Sequence, residues 1–256
     1  MDASITPAAL RQSLASSRPP LVIDVRRNAR FQEADSLLRG ALRRDPDKIE
    51  SWKATLPKGA EVVVYCVHGH EVSQNAAKAL GAKYLEGGIE AWRAMGGELF
   101  KKPLHSSTRW VTRERPKIDR IACPWLIRRF IDAEAEFLYV PTARVKETRD
   151  AVPYDVADVE FSHEGERCSF DAFLRFYRLK DPALDQLALI VRGADTNRLD
   201  LAPQCAGLLA LSLGLSRKYE KDLEMLEQGM VMYDALYTWC REGKDEVHTW
   251  NPAAYK

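Results

Sequence analysis

The sequence predicts an α/β protein in two parts. An open parallel sheet with helices on both faces comes first, and a helix-rich α+β domain follows. Three observations carry that expectation. Leu21-Val22-Ile23-Asp24-Val25 and Glu61-Val62-Val63-Val64-Tyr65 are short, β-branched and almost wholly apolar, as strands covered on both faces of a parallel sheet are. Helical patterns alternate with them at 7–14, 46–56, 73–80 and 89–95, which implies βαβ units. Beyond residue 117, apolar residues recur mainly at spacings of three and four, the period of a helix face.

Each element has a local reason. Pro7 and Pro46 suit the first position of a helix, where a missing N–H costs nothing. Pro57-Lys58-Gly59 turns the chain into the second strand. In the second part, Pro124 is expected to open a helix whose Leu126, Ile127, Phe130 and Ile131 form an apolar face. Ser169 is expected to cap a helix carrying Phe170, Phe173, Leu174 and Tyr177 at i, i+3, i+4 and i+7. Pro182 opens another. The longest helical pattern runs over 217–241, with Leu223, Leu226, Met230, Tyr233, Tyr237 and Cys240 stepping along one face as a packing seam. Residues 137–140 and 156–161 read as strands.

The 256 residues carry 38 Lys+Arg against 37 Asp+Glu, a net charge of +1. This balance excludes the strongly basic profile of a generic nucleic-acid binder, and 46% hydrophobic residues exclude a disordered chain. No apolar run approaches the roughly 20 residues of a membrane helix. The N-terminus lacks a signal pattern, so a cytoplasmic protein is expected, with neither nucleic acid nor membrane as partner. Five widely spaced cysteines without a CxxC argue for individual thiols rather than a disulfide framework. Charge divides the chain: residues 1–104 hold 16 basic and 12 acidic side chains, and the remainder 22 and 25. The stretch KKPLHSSTRWVTRERPK, residues 101–117, is polar, basic and twice interrupted by proline. It reads as a linker between domains at 1–104 and 105–256, with the boundary near 103–108.

The segment Val63-Val64-Tyr65-Cys66-Val67-His68-Gly69-His70-Glu71-Val72-Ser73 reads strand, short loop, helix start. Such a loop points backbone N–H groups at one spot and adds the positive end of a helix dipole. A cysteine facing that spot is favoured as thiolate; a buried, inert thiol ending a strand is the alternative. Around this segment, the Leu21–Arg26 stretch resembles the IDVR strand of rhodanese domains. Leu38-Arg39-Gly40-Ala41 resembles their GHIPGA element, and Leu85-Glu86-Gly87-Gly88-Ile89-Glu90-Ala91-Trp92 their LxGGxxxW signature. The resemblance covers about residues 15–100. It implies that Cys66 carries a persulfide and passes the outer sulfur to a thiophilic acceptor. It further implies that Val67, His68, Gly69, His70, Glu71 and Val72 form the anion-binding loop. Asp24 and Arg26 are either a supporting pair near that loop or a surface ion pair. The loop departs from the family's CxxGxR pattern: it has no Arg, and Glu71 or Val72 stands in its place. Losing that bidentate clamp implies poor use of thiosulfate. His68 and His70 offer proton donors instead, or metal ligands alongside Cys66.

In the second part, DRIACPWLIRRFID, FSHEGERCSF, RGADTNRLDLAP and YDALYTWC resemble the chromate-resistance domain over about residues 109–241. That family occurs fused to rhodanese domains, as here. His163 and Asp195 each follow an apolar element and are expected to line one polar pocket. They are either loop and cap residues in a hydrogen-bond network or ligands of iron, manganese or zinc. Asp119, Arg120, Arg128 and Arg129 offer an oxyanion site or a solvated face. The resemblances together imply a sulfurtransferase or thiol-redox protein linked to chromate resistance, with a small-molecule or protein sulfur donor and acceptor, and chromate or a related oxyanion as a ligand. A non-catalytic sensor binding an oxyanion or metal is the alternative.

Overall fold

A computed structural model describes residues 3–16, 18–56, 59–102 and 109–246. Pro57 and Lys58 of the expected turn, and the expected boundary at 103–108, lie outside those residues. The chain runs β1 (Ser4–Ile5), α1 (Pro7–Leu14), β2 (Leu21–Asp24), α2 (Asn28–Glu33), β3 (Ser36–Leu38), β4 (Leu42–Arg43), α3 (Ile49–Trp52), β5 (Val62–Tyr65), α4 (Glu71–Leu80), β6 (Lys83–Leu85), α5 (Gly88–Ala94) and β7 (Leu99–Lys101). It continues through β8 (Arg109–Arg113), α6 (Asp119–Leu126), β9 (Glu136–Val140), β10 (Val152–Pro153), α7 (Ser169–Phe176), α8 (Pro182–Asp195), α9 (Cys205–Lys218) and α10 (Asp222–Thr238).

The first part is the expected open parallel sheet. Its strand order is β1-β6-β5-β2-β4, and every neighbouring pair is parallel. Central β5 pairs Val62–Tyr65 with Leu21–Asp24 in register. Side chains alternate across a strand, so Val22, Val63 and Tyr65 pack with Leu10, Phe31, Ile89 and Trp92 on one face. Ile23, Val25 and Val64 pack with Trp52, Ala76 and Ala77 on the other. Two covered faces explain why these strands are apolar throughout. The antiparallel pair β3–β7 closes one side.

The second part is helical around a small parallel sheet of order β10-β8-β9. Its central strand β8 corrects the linker reading for residues 109–113. Trp110, Val111 and Thr112 are fully buried there, while Arg109 and Arg113 at its ends reach ion-pair partners. Residues 156–161 are turns rather than a strand, joined to the sheet by one bridge from Phe161 to Tyr154. The 217–241 pattern is broken at Tyr219 and Glu220, so the seam belongs to α10 alone. Leu226, Met230 and Tyr233 of that seam are buried, but Leu223 is exposed.

Helix α6 starts at Asp119, five residues before Pro124, which lies inside it. An interior proline cannot bond the carbonyl four residues back. That carbonyl, of Arg120, instead accepts from the hydroxyls of Tyr139 (3.2 Å) and Tyr154 (3.4 Å). Side chains supplied by the sheet thereby make the proline tolerable. In α7 the cap is Cys168, whose amide donates to Asp171 Oδ2 at 3.1 Å. Ser169, the expected cap, turns its hydroxyl to Asp155 Oδ1 at 3.0 Å instead.

The two parts share one interior. Leu21 and Leu42 join the core cluster of the second part. Phe100 meets Phe161 and Phe176 edge-on at 6.0 and 5.2 Å. Phe161 stacks on Phe173 at 4.3 Å, and Trp110 packs against both at 5.2 Å. Each such buried ring stabilises by roughly 1.5–3 kcal/mol. Polar contacts add direction. Arg44 donates to the carbonyls of Ile131 (2.9 Å) and Phe130 (2.8 Å), and Arg39 to Glu160 at 2.6 Å.

Candidate functional site

Cys66 immediately follows β5, the middle strand of the first sheet, and faces the start of α4. Its Sγ lies 3.2 Å from Ser73 Oγ, and the residue is 7% exposed. The loop above it is held from behind. The amides of Ile89 and Glu90 at the start of α5 donate to the carbonyls of Cys66 (3.0 Å) and Val67 (3.2 Å). Gly87-Gly88 make that approach possible: a Cβ on Gly88, which sits at φ +59, would lie 2.4 Å from the Val67 oxygen. Gly69, at φ +71, is equally confined by the Leu85 carbonyl at 2.5 Å from such a Cβ. With these two carbonyls tied back, the amides from Val67 to Ser73 have no backbone acceptor among the described residues. Unpaired N–H groups in successive turn residues form an anion-binding concavity. His68, His70 and Glu71 are exposed around it, and the two imidazoles lie 5.8 Å apart. Among the described residues, Cys66 and these histidines do not converge as a metal-ligand group.

Asp24 and Arg26 form no surface pair. They are 0% and 3% exposed, and Arg26 Nε donates to both carboxylate oxygens at 3.0 and 2.9 Å. Arg26 also reaches the Ser36 carbonyl (3.0 Å), and the Tyr65 hydroxyl donates to Asp24 (3.0 Å). Burial alone would lower the Arg26 pKa, but Asp24 carries it above its ordinary value. Burial likewise pushes the Tyr65 hydroxyl up. The pair therefore locks β2, β3 and the last residue of β5 together. Its side of the sheet is that of Phe31, whereas Cys66 lies against α4.

A second polar centre lies in the helical part. His163 Nε2 is 3.2 Å from Asp195 Oδ2, 3.4 Å from Asp119 Oδ2 and 3.4 Å from Asp155 Oδ1. The structure thus brings the two sequence-selected residues together and adds two carboxylates from elsewhere. Asp119 opens α6, Asp195 ends α8, and Asp155 sits at φ +52 after β10. Ile118, immediately before α6, is held at φ +41, a strained conformation for a β-branched residue. The buried Tyr233 hydroxyl donates to its carbonyl at 2.9 Å and helps fix it. The carboxylates of Asp119, Asp155 and Asp195 around the ring push His163 up to about 12. Burial raises Asp119 to about 7, with Asp155 and Asp195 adding to the shift. Burial would raise Asp155 too, but His163, Arg113 and Ser169 hold it below its ordinary value.

The basic residues of α6 and the turn after it are engaged in ion pairs. Arg128 pairs with Glu227 and Arg129 with Asp234, both at 2.7 Å, tying the end of this segment to α10. Arg120 lies 3.3 Å from Asp155. Sequence reading placed Asp155 close to His163 but did not join Asp119 to them, because no local spacing links residue 119 with 163 and 195. The one available signal was an acid directly at a helix start beside a β-branched residue.

Comparison with known proteins matches this division. Residues 6–95 match the model of the rhodanese-like domain, and residues 110–240 that of the ChrB C-terminal domain. Protein ChrB of Cupriavidus metallidurans is 33% identical over 135 residues, 52% of this chain and 41% of that protein. The chain therefore spans less than half the length of this curated relative. Among solved structures, a rhodanese-related protein from Thermoplasma volcanium is 22% identical over 38% of this chain and 96% of its own, with a TM-score of 0.33. A rhodanese-like domain protein from Staphylococcus aureus is 27% identical over 40% of this chain and 99% of its own, also at 0.33. The chain belongs to the ChrB C-terminal domain family, and it carries that domain behind a rhodanese-like one.

Proposed function

We propose that this protein is a cysteine-based sulfur carrier acting in chromate resistance, with Cys66 as the nucleophile. The observation that carries the reading is the loop from Val67 to Ser73, which follows Cys66 at the end of a central strand, has no backbone acceptor for its amides among the described residues and brings Ser73 Oγ to 3.2 Å from Sγ. In the first half-reaction the Cys66 thiolate attacks the sulfane sulfur of a donor. The Cys66 S–S bond forms as the donor's sulfur bond breaks, and the electron pair leaves with the donor thiolate. In the second, a thiophilic acceptor attacks the outer sulfur and the Cys66 thiolate departs. The loop amides stabilise the anionic persulfide by charge-assisted hydrogen bonds. Ser73, within reach of Sγ, supplies a further hydroxyl. The donor is a small-molecule or protein persulfide and the acceptor a small-molecule or protein thiol, and the same cradle offers a tetrahedral oxyanion such as chromate a set of donors. All five cysteines are unpaired thiols, as suits a reducing cytoplasm. Among the described residues, no helix is long and apolar enough to cross a membrane.

The test is intact-mass analysis after incubation with a persulfide donor. The wild-type chain should gain one sulfur atom, mapped to Cys66 by peptide sequencing, and Cys66→Ser should gain none there. Modification of another cysteine in its place, or no gain at all, contradicts the proposal.

A further inference from the structure

We propose that Asp119, Asp155 and His163 form a binding site for one divalent first-row metal ion of the manganese, iron or zinc class, with Asp195 closing its outer side. This site is independent of Cys66. Three separate segments deliver its ligand atoms: the start of α6, the turn after β10 and the loop ahead of α7. One ligand atom from each of the three lies within 4.8 Å of the others. The imidazole nitrogen stands 3.4 Å from each of the two carboxylates. Metal–ligand bonds of about 2.0–2.2 Å place neighbouring ligand atoms roughly 2.9–3.6 Å apart in tetrahedral or octahedral arrangements. The observed spacings therefore suit a shared cation better than a hydrogen bond, which is normally shorter than about 3.2 Å.

An independent observation points the same way. Asp119 is 2% exposed, and its Oδ2, aimed at His163, makes no hydrogen bond. A buried carboxylate oxygen without a donor is costly, and one imidazole N–H cannot serve three carboxylates. A divalent ion satisfies them together. The outer shell is built as metal sites require. Asp155 Oδ1 accepts from Ser169 (3.0 Å) and Oδ2 from Arg113 (2.7 Å), which fixes the carboxylate. Strained Ile118 sets the angle at which Asp119 enters. Asp195, 3.2 Å from the ring nitrogen, adds a third carboxylate from beyond the three-residue core. The mixed nitrogen–oxygen donor set favours manganese, iron or zinc over a soft ion that selects thiolates. Half of the site is open, since His163 is 40% exposed and faces a cleft lined by Arg113, Val159 and Ser162. A bound ion would keep a position there for water or an anion.

The experiment titrates the full-length, chelator-stripped protein with manganese(II), read by loss of the free-ion electron paramagnetic resonance signal and by thermal shift. One equivalent should bind with a rise in the thermal midpoint, and zinc should displace it. Asp119→Asn should weaken binding by on the order of 100-fold. Should that variant fail to fold, the half-exposed His163→Gln decides, with a loss of at least about 10-fold expected. Absence of manganese and zinc binding at millimolar concentration overturns the site, as does unchanged affinity in His163→Gln.

Discussion

Cys66 differs from the other four thiols in its surroundings. Burial raises the pKa of Cys123, Cys168, Cys205 and Cys240, which disfavours the nucleophilic form. Limiting alkylation near neutral pH should therefore label Cys66 first, as read by peptide mass; preferential labelling of any other cysteine contradicts this. Glu71 stands exposed in the first turn of α4, where an anionic donor would approach. Glu71→Arg should raise the rate of persulfide formation from thiosulfate by about 10-fold or more, because repulsion is replaced by a bidentate clamp. An unchanged rate would remove Glu71 from the account. His163 gives a pH signature in the metal-free chain. Its folded pKa of about 12 lies above the unfolded value of 6.5, so its contribution is complete below about pH 6.5 and is lost as the pH rises towards 12. The thermal midpoint should fall more steeply between about pH 7 and 10 in the wild type than in His163→Gln; equal slopes contradict the three-carboxylate environment. Cys66 was legible in the sequence because strand, loop and helix start are contiguous there. Asp119 was not, because only tertiary folding brings the start of α6 and the end of α8 to the imidazole beside Asp155.

Among the elements, the glycine pair at the start of α5 holds the Cys66 loop. Gly88→Ala places a methyl group against the backbone oxygens of Val67 and Cys66 at φ +59. It should cost roughly 1–3 kcal/mol in urea unfolding and slow alkylation of Cys66 in the remaining folded fraction. Wild-type values for both would detach α5 from the site. The sheet of the first part could be read from sequence because strands buried on both faces are continuous apolar runs. β8 was obscured for a physical reason: its buried Trp110-Val111-Thr112 centre is bracketed by Arg109 and Arg113, which find Glu136 and Asp155 at the sheet margin. The start of α6 was misplaced because Pro124 normally opens helices. Only the tyrosine hydroxyls on the Arg120 carbonyl, supplied by distant strands, permit it inside one. Periodicity continued through Tyr219 and Glu220 although the helix did not, since α9 and α10 pack on a common core.

At the scale of the whole molecule, the rhodanese-like sheet and the ChrB-type domain are joined by a buried interface, which the charge asymmetry of the sequence did not reveal. Arg44 is buried, and burial lowers its pKa to about 10. Its bonds to the Phe130 and Ile131 carbonyls cross between the two parts. Arg44→Ala should destabilise the chain by roughly 1.5–3 kcal/mol. Arg109→Ala, which removes a part-exposed ion pair inside one sheet, should cost no more than about 1 kcal/mol. Similar losses for the two variants in denaturant melts would contradict the weight given to the interface. The central claim is that Cys66 carries sulfur between two partners, and a single-turnover transfer experiment tests it most directly. The full-length chain is loaded from an isotopically labelled persulfide donor, freed of donor and mixed with a thiol acceptor. Label should leave Cys66 as an equal amount appears on the acceptor, and Cys66→Ser should transfer none. Label that stays on Cys66, or reaches the acceptor equally from Cys66→Ser, would contradict it.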